Sequence, residues 1–249
     1  MFLPVLAAAL MTFTDPGGDA RGDGGYIYPQ RPAVTERMLD LDTFTAERSE
    51  DGMTFTVTLG QAGNPYGAPS GYSAGVIDIF VRGSAGGERR LEGTGLTARS
   101  GGWRYHLHVT GFGSTLRAVY GNNLADARQL KDPVLTVSGR TLTIRTAVPA
   151  GTYAYWVTSS LYSPLSPDGV LRPTTTRSPL TLQAARENAP SPVDVLAEAG
   201  DTLAFTGGTL ASVGQARDTY TGALAGLGFL GVAATIAGGV WRRRLQRHL

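Results

Sequence analysis

Two stretches of this chain alternate apolar and polar residues with period two, and that pattern does most to limit what it can fold into. Residues 53–59 (MTFTVTL) put Phe55, Val57 and Leu59 on one face and threonines on the other. Residues 103–110 (WRYHLHVT) put Trp103, Tyr105, Leu107 and Val109 on one face and Arg104, His106, His108 and Thr110 opposite. Successive side chains of an extended chain point to opposite faces, so both segments predict half-buried antiparallel strands. Residues 10–14, 39–46, 76–82, 116–120, 134–137, 141–146, 152–158 and 179–183 read as further strands. Turn-forming clusters separate them at 60–70, 83–87, Ser138-Gly139 and 163–169. Residues 122–132 have room for one helical turn. About ten short strands with no convincing soluble helix predict an all-β chain, an antiparallel β-sandwich.

The ends read differently. From Thr219 to Trp241 there is no charged residue, and Arg242-Arg243-Arg244 follows at once. A run of that length, with Tyr220 and Trp241 at its ends and arginines behind it, predicts one transmembrane helix with the C-terminus cytoplasmic. Gly222 and Gly226 are spaced to pack a helix dimer. The N-terminal MFLPVLAAA has the apolar run and small residues of a signal peptide, without a basic n-region. The expected organisation is therefore a signal peptide at 1–9, a sandwich at 10–185, a low-order linker at 186–218, the membrane helix at 219–241 and a basic tail at 242–249. That places the bulk of the chain outside the cell membrane.

Charge and composition exclude several functions. Lys and Arg number 22 against 20 Asp and Glu, but four of those arginines lie in the last eight residues. Without them the balance is slightly acidic, and no basic stripe for nucleic acid remains. Cysteine is absent, which removes disulfides, thiolate zinc sites and cysteine nucleophiles. No pair of carboxylates sits in a glycosidase-like arrangement, and there is no G-x-S-x-G or phosphate loop, so no catalytic residue is assigned.

Ordered motifs carry a family resemblance. They begin with Asp15-Pro16-Gly17-Gly18-Asp19, Gly22, Gly24 and Tyr26-Ile27-Tyr28-Pro29. Leu39-Asp40-Leu41, Asn64-Pro65-Tyr66, Gly71-Tyr72-Ser73 and Ile77-Asp78-Ile79-Phe80 follow. Trp103-Arg104-Tyr105, Gly111-Phe112 and Gly169-Val170-Leu171-Arg172-Pro173 complete the set. In this order they resemble the glucodextranase C-terminal domain family, β-sandwich modules also described as surface-layer-homology-like. The chain departs from the family pattern at Ala20, where a second acid is usual, at Tyr66, often Trp, and at Gly75, often Gln. The resemblance implies a non-catalytic, carbohydrate-binding type of module at the cell surface, with a glycan or other envelope component as partner. Docking to another surface protein is the first alternative and an uncharacterised hydrolase the second.

Two site readings follow from residue types. Asp15, Asp19 and Asp23 recur every four residues in a glycine-rich loop, and with Asp40, or with Asp42 or Asp78 from neighbouring strands, they offer the hard oxygen ligands that suit calcium. The loop is no EF-hand, since Arg21 and Gln30 occupy the third and twelfth positions counted from Asp19. Aspartates in such loops also cap turns. Tyr66 beside Asn64, Tyr72 and Tyr162 are loop aromatics suited to stack on pyranose rings. His106 and His108 share a strand face and are expected to meet solvent.

Overall fold

The computed structural model describes residues 10–22, 25–83, 86–121 and 123–216. The signal segment, Asp23, the 219–241 run, its expected dimer contact and the basic tail lie outside the described residues. Among the described residues no helix is long and apolar enough to cross a membrane.

Two antiparallel hairpins, joined side by side, and the first strand build a five-stranded sheet in the order β1 (Met11–Thr14), β2 (Leu41–Ser49), β3 (Gly52–Leu59), β11 (Thr141–Arg145) and β10 (Val134–Ser138). A longer sheet runs β13 (Pro192–Val195), β12 (Ala154–Leu161), β4 (Gly75–Arg82), β7 (Trp103–Thr110), β8 (Gly113–Val119) and β9 (Ala127–Gln129), with β15 (Val213–Gly214) also on β12. A small third sheet holds β14 (Thr209–Leu210), β6 (Leu96–Ala98) and β5 (Arg90–Leu91). One short helix, α1 (Leu203–Gly207), leads into β14.

The alternation in the sequence explains the first core. Phe44, Phe55, Val57 and Leu142 of the five-stranded sheet pack against Ile77, Ile79, Leu107 and Tyr155 of the long sheet. Phe44, Phe55 and Tyr155 meet with ring centroids 5.1–5.7 Å apart. Each such fully buried side chain stabilises the fold by about 1.5–3 kcal/mol relative to exposure.

A second core lies on the other face of the long sheet. Phe80, Trp103, Val119 and Trp156 are covered there by Leu91, Leu96, Phe205 and Leu210. The indole N–H groups of Trp103 and Trp156 donate to the carbonyls of Arg90 (2.7 Å) and Leu210 (3.0 Å), so the covering layer also satisfies their polar atoms. β4 and β12 are consequently buried on both faces.

Several expectations need correction. Residues 186–216 are part of the fold: β13 extends the long sheet, and α1, β14 and β15 follow. Val193, Val195 and Leu196 bury there, and Asp194 between them hid the strand from a reading by hydropathy. Residues 179–183 form no strand; Ser178–Thr181 is a turn, and Gln183 alone bridges Ile27 and Thr174. Trp103 does not share a face with Tyr105. The register runs Val81↔Tyr105 and then Arg82↔Trp103, so Arg104 is a bulge residue and Trp103 turns to the side of His106. That side lies under the third layer, so His106 and His108 do not point into solvent.

Candidate functional site

Three groups of chemistry-bearing residues emerge. The first is aromatic. Tyr162, just past the end of β12, stands between two rings: Phe112 stacks on it at 5.3 Å and 27°, and Tyr66 meets it edge-on at 5.4 Å. Phe112 is 50% exposed, so the row reaches solvent. Its supports are local. Asn64 accepts from Ala68 N (2.7 Å) and Ser73 Oγ (2.7 Å) and donates to Ala68 O (3.0 Å), while Ser73 Oγ accepts from Tyr66 N (2.9 Å). Phe112 sits at the tip of the β7–β8 hairpin, where Thr110 Oγ accepts from the N–H groups of Phe112 and Gly113. Gly111 is required there, because a Cβ would lie 1.5 Å from the Tyr72 carbonyl oxygen. Gly169, at φ +72°, lets the loop pass under the Tyr162 ring. Asp168 and Arg172 form a two-pronged ion pair in the same loop, at 3.0 and 2.6 Å.

Of the four residues expected to bind a sugar, the structure brings Tyr66 and Tyr162 together. Tyr72 is wholly buried in the first core and cannot contact a ligand. Asn64 already spends its side chain on the loop. Phe112 enters the sequence reading only through the Gly111-Phe112 motif and not as a sugar-binding residue, although an aromatic at the tip of a Gly-flanked hairpin is a usable signal.

The second group is buried and charged. His106 Nε2 and His108 Nδ1 donate to the same Asp78 oxygen, at 2.8 and 2.7 Å. His108 Nε2 donates to the Asp168 carbonyl at 2.9 Å, which ties the aromatic loop to the sheet. Glu92 lies 3.7 Å from His106 Nδ1 and pairs with Arg117 at 2.6 Å. Burial alone would raise the Asp78 carboxyl and lower His108. Their mutual attraction and hydrogen bonds outweigh it, holding Asp78 well below the usual carboxylate range and His108 up at about 9. Asp78, His106 and His108 have the spacing of a metal triad, but the imidazole nitrogens that face Asp78 are engaged with it, so the group reads as a buried ion pair.

The third group is acidic. Asp15 directly follows the first strand, Asp19 comes next in the glycine loop, and Asp194 comes from β13. One oxygen from each lies within 4.8 Å of the others. The loop is docked onto β13 by the hydrogen bond from Gly22 N to Val193 O (2.7 Å). Asp40, expected in this set, instead accepts from Gly18 N at 2.7 Å and fixes the turn. Asp42 pairs with Arg140, and Asp78 with the histidines. Burial pushes Asp15 up to about 8, with Asp19 and Asp40 adding repulsion, and Asp194 is raised by burial and then by Asp15. Asp194 was missed because it lies far along the chain in a segment read as linker. Ala20, where the family pattern has an acid, is fully buried, and its carbonyl accepts from the Tyr28 hydroxyl.

A family model described as the C-terminal binding module, SLH-like, of glucodextranase matches residues 10–160, more than half of the chain. No curated protein matches the chain.

Proposed function

The chain belongs to the family of glucodextranase C-terminal, SLH-like binding modules, and from that premise we propose that it is a non-catalytic module that binds a glycan of the cell envelope on its aromatic row. The observation that carries this reading is the Phe112–Tyr162–Tyr66 row, stacked at the first contact and edge-on at the second, which opens to solvent in the loop of the Asp168–Arg172 pair. Apolar faces of pyranose rings pack on exposed aromatic rings, and a planar guanidinium next to a carboxylate supplies donors and acceptors for hydroxyls. Leu165, 90% exposed at the tip of the same loop, extends the apolar surface.

The 219–241 run, by its uncharged length and the arginines behind it, supports anchoring in the membrane with the module outside. A glycan array probed with the full chain tests the binding reading. Binding by the native chain and its loss in Phe112→Ala and Tyr162→Ala are expected. Silence across envelope polysaccharides would favour docking to another surface protein.

A further inference from the structure

The geometry points to a divalent-cation site, calcium by ligand type, formed by Asp15, Asp19 and Asp194. Its ligands come from both ends of the fold: the loop after the first strand, and the edge strand that completes the long sheet 179 positions after Asp15. It is independent of the aromatic row and of the glycan reading.

The carboxylates are placed and partly satisfied in a way that leaves atoms for an ion. Asp15 is 8% exposed; its Oδ1 accepts from Ala197 N at 2.9 Å, and its buried Oδ2 has no hydrogen-bond partner. A buried carboxylate oxygen without a partner carries the full cost of its lost hydration. Asp194, 3% exposed, accepts from Leu41 N on Oδ2 and from Val195 N on Oδ1, at 2.7 and 2.8 Å. Those bonds fix the plane of the carboxylate while leaving one lone pair on each oxygen. Asp19, on the exposed turn, closes the triangle.

Space and charge agree. The three line a cavity of about 210 Å³ that also reaches Glu198 and Asp201. No basic residue lines it among the described residues. The carboxylate of Asp201 is held by Arg99 at 2.8 Å, and Arg21, the nearest basic residue in the loop sequence, is paired with Glu36 at 2.6 Å. Three close carboxylates without a positive charge are strained against one another, and a hard dication with oxygen ligands relieves that repulsion. Water and main-chain carbonyls complete the six to eight ligands that calcium takes.

Calcium titrated calorimetrically into the chelator-treated full chain, with thermal melts alongside, tests the site. Saturable heat and a rise in melting temperature are expected, because an ion that binds only the folded state at a hundredfold over its Kd multiplies the folding constant about 100-fold. Asp15→Asn and Asp194→Asn should abolish both signals. In chelator Asp15→Asn keeps the acceptor for Ala197 N and has no bond at Oδ2 to lose, so it should melt cooperatively, as the native chain does, which shows that it is folded. Asp194→Asn must turn an amide NH2 towards one of two main-chain N–H donors and should melt lower. No heat and no shift for the native chain at millimolar calcium would overturn the site, as would an undiminished response in both Asn variants.

Discussion

His108 lies between a carboxylate and a carbonyl, so both ring nitrogens must donate and the ring is an imidazolium. Its folded pKa, about 9, exceeds the ordinary 6.5. The charged pair therefore contributes fully below pH 6.5, and the contribution is lost as pH rises through about 9. Asp78, depressed by the same contact, loses its share as pH falls below the ordinary carboxylate range. Stability should peak in the mildly acidic range and fall by about 3 kcal/mol towards pH 9, the order of magnitude that this shift sets. Denaturant unfolding at a series of pH values checks this: the decline between pH 6.5 and 9 should be shallower in His108→Gln, leaving the part that the raised Asp15 carboxyl contributes up to about 8, and equal slopes in both proteins would refute it. The sequence showed that the two histidines share a face but not which way it looks. That was decided by what covers the histidine side, the added layer and the Asp168 loop, and the Arg104 bulge turns Trp103 to the same side. A one-residue irregularity of this kind leaves no mark in a period-two pattern.

At the scale of elements, β13 does more than its four residues suggest. It covers one edge of β12, places Asp194, and leads to the segment that closes the second core. A chain ended after residue 185 loses this strand, the Phe205 and Leu210 cover, and the acceptor of the Trp156 indole. It should therefore aggregate or unfold without a cooperative transition. A chain ended after residue 216 should melt as the full chain does. Circular dichroism melts of the two truncations distinguish the outcomes, and cooperative melting of the shorter one would show that the last strands are dispensable. The second core was partly legible. Val76, Ile77, Ile79, Phe80 and Val81 form a nearly continuous apolar run, which marks a strand buried on both faces. The third layer itself is built from strands of two and three residues, too short to carry a periodic signal.

Across the described residues the fold is a sandwich with an added layer, and its surface features fall at separate places: an aromatic row at the hairpin tip and an acidic cavity beside the edge strand. The hydrophobic alternation made the sandwich legible, because burial of one face dictates it. The sites were legible only in part. Tyr66 and Tyr162, or Asp15 and Asp19, are recognisable by type, but Phe112 and Asp194 join them only through tertiary packing. If the 219–241 run anchors the chain as proposed, external protease should degrade the module in intact spheroplasts and leave a short protected C-terminal fragment. A fully protected chain would place the module on the cytoplasmic side. The most direct test of the account is equilibrium binding of the full chain to envelope polysaccharide, by affinity electrophoresis or calorimetry, for native protein and Phe112→Ala. The account predicts unchanged melting and a loss of affinity of at least about tenfold, roughly 1.4 kcal/mol. Unchanged affinity in a folded Phe112→Ala protein would contradict it.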